Sequence, residues 1–159
     1  MNASRIKRID NRVPRLSYPI KLEIGCGVKK VRKEGYIGLD IKDYGQEILW
    51  DVELGIPLPD NSCSNIFAQH VFEHIEDLIG VINECWRILE PNGELWIIVP
   101  HKDSVKSLIP SHVRQFDKWT FDFFQFEGYA EEYQSKLWEV KELTVNERPD
   151  IHVKMTPKK

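Results

Sequence analysis

Residues 22–27 read Leu-Glu-Ile-Gly-Cys-Gly, a short apolar strand that runs into a glycine turn. Glycines at the carboxyl end of a parallel strand let the backbone approach a ligand that a side chain would block. Glu23, just before the glycines, suits a ligand with a positive group better than it suits a pyrophosphate. The stretch therefore predicts an open α/β sheet with a nucleotide-sized ligand at its carboxyl edge.

The next predicted strand, Tyr36-Ile37-Gly38-Leu39-Asp40, ends on a carboxylate. A carboxylate at this position can accept both hydroxyls of a ribose. The dinucleotide form of the glycine turn needs a third glycine, and Lys30 occupies that place. A ribose together with a positive group fits S-adenosylmethionine better than it fits a dinucleotide.

Hydrophobic periodicity predicts alternating strands and helices along the chain. The predicted strands are 21–24, 36–40, 47–50, 65–69 and 94–100, with a closing pair at 136–146 and 151–155. A helix is predicted after Asp77 as its N-cap, stopped by Pro91-Asn92-Gly93, and a short aromatic helix over 117–127. The predicted fold class is α/β: a doubly wound, mostly parallel seven-stranded Rossmann-like sheet with an antiparallel C-terminal hairpin and a much shortened first crossover helix.

The length and composition are typical of one globular domain. A chain of 159 residues buries roughly 70% of its unfolded surface, and 42% of these residues are hydrophobic. Three cysteines without paired spacing indicate a reducing compartment, so we expect a cytoplasmic protein. No stretch approaches the length of a membrane span, and no signal peptide is visible.

We divide the chain into a basic N-terminal arm, 1–19, and a single domain, 20–159. Within the domain we expect a ligand-binding core over 20–100, a substrate-covering segment over 101–137 and a closing hairpin over 138–159. In the arm, a single Asp10 faces five cations: Arg5, Lys7, Arg8, Arg12 and Arg15. Short basic arms are mostly solvated tails, and few aromatic residues are interleaved here, so nucleic acid is an unlikely partner.

Five blocks of the sequence resemble, in order, the successive blocks of a class I S-adenosylmethionine-dependent methyltransferase of the small type 11 branch. They cover residues 20 to 100 and read Leu-Glu-Ile-Gly-Cys-Gly, Ile-Gly-Leu-Asp, Ile-Pro-Leu-Pro-Asp-Asn-Ser, His-Val-Phe-Glu-His-Ile-Glu-Asp and Trp-Arg-Ile-Leu-Glu-Pro-Asn-Gly-Glu-Leu. The resemblance implies that S-adenosylmethionine is the cofactor and S-adenosylhomocysteine the product. The chain departs from the family in its nearly deleted first crossover helix.

The same resemblance implies which residues hold the cofactor. Its methionine part would be lined by Glu23, Gly25, Cys26 and Gly27. Asp40 would hold the ribose, and Ile41 would pack on the adenine. The remaining cofactor contacts would come from Asp51 and Val52 at the adenine edge and from Gln69 and His70 beside the sulfonium.

The sulfonium makes the methyl group a good electrophile, so alignment of the acceptor supplies much of the catalysis and a base is optional. His70 and His112 are the candidate bases. His112 belongs to a Pro-x-His-x-Arg-x-Phe stretch, Pro110 to Phe116, that resembles related enzymes. His101 and Asp103 also follow the fifth strand, where the acceptor should arrive.

The fourth strand ends Ala68-Gln69-His70-Val71, without the Asn/Asp-Pro-Pro-aromatic block associated with methylation of exocyclic amines and amides. We therefore expect methyl transfer to a hydroxyl or carboxylate oxygen of a small molecule or glycan intermediate. Two alternatives remain open: a catalytically silent cofactor-binding subunit that acts through a partner, and a zinc hydrolase. A homodimer is compatible with the sequence.

The hydrolase alternative rests on His70-Val-Phe-Glu73-His74, which fits the H-x-x-E-H pattern of inverted zinc peptidases. That chemistry needs the whole pattern on one helix, and here it straddles the end of a strand and the start of a helix. A third ligand would have to come from acids such as Glu131 or Glu142. We therefore expect no metal, with Glu73 and His74 bracing the helix start by hydrogen bonds.

Eight aromatic residues crowd the stretch from 116 to 133. We expect Phe116, Trp119 and Phe123 to pack on the sheet and some of the others to face a pocket or a partner. In enzymes that this chain resembles, the segment before the first strand often folds across the cofactor mouth. Tyr18 would then cover the methionine end of the cofactor, while Arg12 and Arg15 recruit an anionic acceptor or partner.

Overall fold

The computed structural model describes residues 12–28 and 33–159, which form one seven-stranded sheet. The strands are β1 (Ile20–Ile24), β2 (Ile37–Asp40), β3 (Ile48–Leu49), β4 (Cys63–Gln69), β5 (Leu89–Pro100), β6 (Trp138–Val145) and β7 (Asp150–Pro157). The helices are α1 (Leu78–Ile88), α2 (Lys118–Asp122) and α3 (Glu127–Tyr133). Strands β1 to β5 pair in parallel, and β7 runs antiparallel to both β5 and β6. The predicted fold class is confirmed.

The strand order, β3-β2-β1-β4-β5-β7-β6, places a topological switch between β1 and β4. The chain moves outward from β1 through β2 to β3 and then returns to the other side of β1. In such sheets a ligand binds where the order reverses, outside the carboxyl ends of the strands. The Gly25–Gly27 turn, Asp40 and His70 all follow strand ends at this edge.

Helix α1 begins where its sequence predicts, because the Asp77 Oδ1 atom accepts the Gly80 N–H at 2.9 Å. It ends at Ile88, before the predicted Pro-Asn-Gly stop, since Leu89 already pairs with Cys63 in the sheet. Residues 90–93 then bulge out of β5, and regular pairing resumes at Asn65 and Glu94. Strand β5 is therefore longer at its start than the predicted 94–100.

One apolar cluster fills the side of the sheet that the helices cover. Alternate strand residues point to it, as the buried side chains of Leu22, Ile66, Ile97 and Val153 illustrate. Helix α1 adds Ile82 and Cys85 to the same cluster, and the aromatic segment adds Phe116, Phe121 and Phe124. Helix α1 and the aromatic segment 116–124 thus share one core on one face of the sheet.

Cations and aromatic rings occupy the opposite face of the sheet. The Phe67 and Trp96 rings lie 4.9 Å apart, and the Lys33 ammonium lies 4.5 Å and 4.4 Å from their centroids. The Lys154 ammonium lies 5.4 Å from Trp96, which is only partly buried. Cation–π attraction stabilises this arrangement where a parallel sheet usually carries helices. The described residues of the 25–36 and 41–47 connections contain no helix.

The aromatic segment forms two short helices instead of the single predicted one. Asp117 caps α2 as predicted, in a capping box with Thr120. Helix α2 buries Phe121, and the single helical turn Phe123–Gln125 that follows it buries Phe124. Trp119 and Phe123 point the other way, with exposed fractions of 61% and 48%, so the expectation that they pack on the sheet is wrong.

No described helix is long and apolar enough to cross a membrane.

Candidate active site

A cavity of about 540 Å³ opens at the carboxyl edge of the sheet, within the size range of small-molecule sites. Residues that follow four different strands line it. Six of them were predicted from the sequence: Gly25, Asp40, Ile41, Asp51, Val52 and His70. Parallel strands bring these positions together because their carboxyl ends share one edge.

The glycine turn, Gly25–Gly27, has left-handed backbone conformations at both of its glycines, with φ of +66° and +57°. A Cβ atom on Gly25 would lie 2.2 Å from the Val71 Cγ2 atom. The Leu39 carbonyl accepts the Gly25 N–H at 2.8 Å and so fixes the turn to β2. Only glycine fits where the turn meets the wall of the cavity.

Asp40 is 9% exposed and holds two backbone groups. Its Oδ2 atom accepts the Gly27 N–H at 3.0 Å, and its Oδ1 atom accepts the Lys42 N–H at 2.9 Å. An ionised carboxylate offers about four acceptor positions, so each oxygen keeps a lone pair for a ligand hydroxyl. Asp40 can hold the lip of the cavity and a pair of vicinal hydroxyls together.

Four of the predicted cofactor residues do not line the cavity. Glu23 points to the opposite face of the sheet, because it alternates with the inward Leu22 and Ile24, and its Oε2 atom accepts the Lys33 N–H at 2.6 Å. Cys26 is buried against β2, where a Cβ on Gly38 would lie 2.7 Å from its Sγ atom. The remaining two are Gly27, bound to Asp40, and Gln69, which is exposed.

Asp51 and Val52 begin a single helical turn directly after β3. The Asp51 Oδ1 atom accepts the Glu53 N–H at 3.0 Å as the N-cap of this turn, and Val52 is buried. The Trp50 indole N–H donates to the Gly55 carbonyl at 2.7 Å, which closes the turn around the cavity wall. Ile41, Trp50 and Val52 give this end of the cavity an apolar surface beside the Asp51 carboxylate.

His70 stands between two carboxylates at the end of β4. Its Nδ1 atom lies 3.3 Å from the Glu73 Oε1 atom, and its Nε2 atom lies 3.9 Å from the Asp150 Oδ2 atom. Lys106 holds Asp150 with contacts of 3.1 Å and 2.9 Å to its two oxygens. The His70 backbone is left-handed, with φ of +54°, which ends the strand and turns the ring into the cavity wall.

Glu73, His74 and His112, the Glu73 cluster, each bring one donor atom within 4.8 Å of the others. Glu73 is 1% exposed, and neither of its carboxylate oxygens has a hydrogen-bond partner among the described residues. The His112 Nδ1 atom is likewise buried and unpartnered there. Burial lowers the pKa of His112, an effect that the Glu73 charge opposes. Two imidazoles and a carboxylate could also hold a divalent ion, and no other part of residues 12–28 and 33–159 offers such a group.

The H-x-x-E-H pattern is not arranged as in a zinc peptidase. Phe72–His74 is a single helical turn, and His70 lies before it, so the pattern does not occupy one helix. The third member of the cluster is His112, not Glu131 or Glu142. His74 does brace this region, with its Nδ1 atom 3.1 Å from the Ser111 carbonyl oxygen, but the expected bracing by the Glu73 carboxylate is wrong.

The Pro110–Phe116 stretch carries His112 to this place. Arg114 donates to the Ile75 carbonyl at 2.9 Å and to the Glu76 carbonyl at 2.7 Å, and Phe116 is buried in the core. The Val113 N–H donates to the Glu73 carbonyl at 2.9 Å. The spacing of histidine, arginine and phenylalanine therefore fixes the segment after β5 against the start of α1.

Residues 22–97 match the family model of a methyltransferase domain. The chain belongs to the type 11 family of S-adenosylmethionine-dependent methyltransferases. Its cofactor is therefore S-adenosylmethionine. No curated protein sequence matches this methyltransferase.

Solved structures share the fold of the methyltransferase at low sequence identity. An S-adenosylmethionine-dependent methyltransferase from Aquifex aeolicus is 20% identical, with 90% of this chain and 85% of that one covered and a TM-score of 0.63. A protein from Sulfolobus solfataricus described as a type 11 methyltransferase is 21% identical, with 87% and 85% covered and a TM-score of 0.59. The 1,6-didemethyltoxoflavin-N1-methyltransferase of Burkholderia thailandensis is 10% identical, with 88% and 71% covered and a TM-score of 0.62.

Ten residues that line the cavity of the methyltransferase were not among the residues predicted to hold the cofactor. Most of them are neighbours of predicted positions at the same strand ends. The ten are Ile24, Leu39, Lys42, Tyr44, Trp50, Glu53, Val71, His74, Ile75 and Ser111. Proximity to a strand end could have found most of them, and Ser111 lies in the Pro110–Phe116 stretch beside the predicted His112.

The N-terminal arm meets the methyltransferase at β3, and its residues 1–11, with Arg5, Lys7, Arg8 and Asp10, lie outside the described residues. Arg12 and Leu49 exchange backbone hydrogen bonds, and the Arg12 guanidinium donates to the Gln46 carbonyl at 2.6 Å and to Asp43 at 3.2 Å. We had expected Arg12 to recruit an anionic acceptor or partner. Its guanidinium instead binds groups of the fold. Neither Tyr18 nor the predicted acceptor residues His101 and Asp103 line the cavity.

Proposed function

We propose that this methyltransferase transfers a methyl group to an oxygen of a small molecule or glycan intermediate. The end of β4 carries the proposal: it reads Gln69-His70-Val71, with His70 in the cavity wall and without an Asn/Asp-Pro-Pro-aromatic block. A histidine between two carboxylates suits an acceptor that gives up a proton. A small-molecule acceptor is also supported by the Burkholderia relative, whose structure holds 1,6-didemethyltoxoflavin and S-adenosylhomocysteine.

In the proposed complex, the adenine lies at Ile41, Asp51 and Val52, and the ribose hydroxyls bind Asp40. The methionine part passes Gly25, and the sulfonium faces His70, whereas Gln69 lies outside the cavity. Glu23, Cys26 and Gly27 serve this part of the cofactor by holding the glycine turn. Their support is the hydrogen bond from Lys33 to Glu23, the packing of Cys26 over Gly38 and the hydrogen bond from Gly27 to Asp40.

The chemical task of the protein in this reaction is alignment. The acceptor oxygen attacks the methyl carbon as the carbon–sulfur bond breaks. The electron pair of the broken bond stays on the sulfur of S-adenosylhomocysteine. Holding the oxygen in line and excluding water supplies much of the rate increase. His70 and His112 are the proposed bases for the acceptor proton.

The segment 101–137 is the proposed acceptor cover. Its single turn Val105–Leu108 presents Val105 and Leu108 to solvent, with exposed fractions of 81% and 71%. The same segment brings Ser111 to the rim of the cavity.

The test is a screen of acceptors with a labelled methyl donor and the purified chain alone. We expect label on hydroxyl or carboxylate compounds, and less label with an Asp40→Ala variant at the same concentration of methyl donor. Label only on nitrogen compounds would refute the proposed acceptor class. Binding of S-adenosylhomocysteine without turnover on any acceptor, restored by a second protein, would favour the silent-subunit alternative.

A further inference from the structure

Glu73 has a buried carboxylate that lacks a hydrogen bond from the described residues. Its side chain is 1% exposed, yet no described residue donates a hydrogen bond to either carboxylate oxygen. A buried carboxylate without a hydrogen bond is unfavourable, and the nearby His70 Nδ1 atom, 3.3 Å from Oε1, does not supply one. The position therefore calls for a hydrogen-bond donor from outside the described chain.

Three imidazoles from two segments surround this carboxylate. The His70 Nδ1 atom is 3.3 Å from Glu73 Oε1, and both His74 and His112 offer a ring nitrogen within 4.8 Å. The His74 and His112 rings meet edge to face, with centroids 4.7 Å apart. The other charged group on this side is Asp150 of β7, which contacts His70 from behind and is paired with Lys106.

The surroundings of His74 determine which of its ring nitrogens carries a proton when the ring is neutral, and those of His112 shift its pKa. His74 Nδ1 faces the Ser111 carbonyl at 3.1 Å, so that nitrogen donates and a neutral His74 keeps its lone pair on Nε2. His112 has a pKa lowered mainly by burial, and its buried Nδ1 atom has no partner in the described part of the chain. A neutral His112 can accept a proton, as a base requires.

The three donor atoms of the Glu73 cluster are close enough together to contact one oxygen atom. Because they lie within 4.8 Å of one another, a point exists that is no more than about 2.8 Å, the largest separation divided by √3, from each. That distance is the ordinary length of a hydrogen bond between oxygens. His74 lines the cavity together with Ser111, so the oxygen would arrive from the cavity.

We propose that Glu73, His74 and His112 bind the acceptor hydroxyl and receive its proton. The inference rests on the proposed function, because it takes the acceptor atom to be a hydroxyl oxygen. The hydroxyl donates to Glu73 before reaction. As the carbon–oxygen bond forms and the carbon–sulfur bond breaks, the proton passes to the cluster, and it leaves to solvent after the methyl ether and S-adenosylhomocysteine depart.

The test compares Glu73→Gln with Glu76→Gln, an exposed carboxylate three residues further on, using a hydroxyl acceptor found in the screen. Loss of a base lowers kcat by roughly 100-fold to 10,000-fold, so we expect that loss for Glu73→Gln alone. The dissociation constant for S-adenosylhomocysteine should stay within about two-fold, because Glu73 does not line the cofactor cavity. Glu73→Asp should recover part of kcat, because it restores a carboxylate at this position.

His112→Gln keeps the test decisive if Glu73→Gln fails to fold, because His112 is less buried and should give the same loss of kcat with unchanged cofactor binding. Hydroxyl methylation that proceeds equally in wild type, Glu73→Gln and His112→Gln would overturn the inference and leave the proposed function standing. Methylation of nitrogen alone would overturn both. One bound metal ion per chain that both variants release would overturn the inference in favour of a metal site.

Discussion

The Asp40 carboxylate accepts the Gly27 N–H at 3.0 Å, so the end of β2 holds the turn that follows β1. The two segments are 13 residues apart in sequence and form one binding unit. Asp40 also holds the Lys42 N–H, and the Leu39 carbonyl beside it accepts the Gly25 N–H. A change at Asp40 therefore alters both a ligand contact and the shape of the cavity lip.

We predict that Asp40→Ala weakens binding of S-adenosylhomocysteine by several-fold to a few hundred-fold. Two charge-assisted hydrogen bonds to the ribose are worth roughly 1.5–3 kcal/mol each before compensation. Titration calorimetry measures the dissociation constant, and Glu147→Ala is the control because Glu147 is an exposed carboxylate that lies outside the cavity. An equal dissociation constant in wild type and Asp40→Ala would remove Asp40 from the ribose site.

We predict that Gly38→Ala destabilises the protein by roughly 1–3 kcal/mol and also weakens cofactor binding. The new methyl group would lie 2.7 Å from Cys26 Sγ and 3.2 Å from Gln46 Cβ, which forces the glycine turn away from β2. Gly128→Ala is the control, since nothing lies within 4 Å of its Cβ and alanine favours a helix by roughly 0.5–1 kcal/mol. Urea unfolding measures both, and a neutral Gly38→Ala would show that the turn can shift freely.

We predict that the pair formed by Glu84 and Arg87 stabilises the fold at neutral pH and ceases to do so in acid. Arg87 donates to both Glu84 oxygens and to the carbonyls of Ile56 and Leu58, which ties the loop before β4 to α1. The hydrogen bond from Arg87 is the main reason that the Glu84 pKa is lowered from its ordinary value of 4.5. A lowered carboxylate pKa adds stability above pH 4.5 that is lost as the pH falls through the folded value.

The measurement is the free energy of unfolding of wild type and Glu84→Gln between pH 7 and pH 3. The variant should be less stable at pH 7 by about 1 kcal/mol, a modest value because the pair is partly exposed. The two curves should converge below pH 4.5, where wild-type Glu84 takes up its proton. A constant difference across this range would assign the loss to packing and not to charge.

We predict that Arg12→Ala weakens cofactor binding several-fold, because Arg12 holds the loop before β3, and Asp51 and Val52 follow that strand. Its guanidinium donates to Gln46 O at 2.6 Å, and the buried Gln46 side chain in turn donates to the Asp40 carbonyl. Arg15→Ala is the control, since Arg15 is exposed. Calorimetry at two salt concentrations distinguishes a structural role of Arg12 from a general electrostatic one. If both variants bound the cofactor more weakly, and only at low salt, the arm would be attracting the cofactor by its charge.

The sequence predicted the strands, the glycine turn and Asp40 because local periodicity and the geometry of parallel strands determine them. It also held an unused signal about Glu23: a strand that buries Leu22 and Ile24 must point Glu23 the other way. Long-range placement left no such signal. His112 reaches Glu73 only because Arg114 and Val113 bind carbonyls nearly forty residues away in the chain.

The length of α2 explains why the expectation that Trp119 and Phe123 pack on the sheet is wrong. A longer helix would have buried a stripe that includes Trp119 and Phe123, as the aromatic spacing suggests. The capping box at Asp117 and the single turn at Phe123–Gln125 limit α2 to five residues, so Phe121 and Phe124 take the buried positions. Residue spacing alone does not reveal where a short helix stops.

The sheet face that carries Lys33, Phe67 and Trp96 has a thermodynamic consequence. Water reaches part of a surface that helices cover in most parallel sheets, so unfolding exposes less new apolar area per residue. The heat capacity of unfolding should therefore fall below the usual range of about 12–15 cal/mol/K per residue. A smaller heat capacity change flattens the stability curve, so the free energy of unfolding of this protein should change little between refrigerator and body temperature.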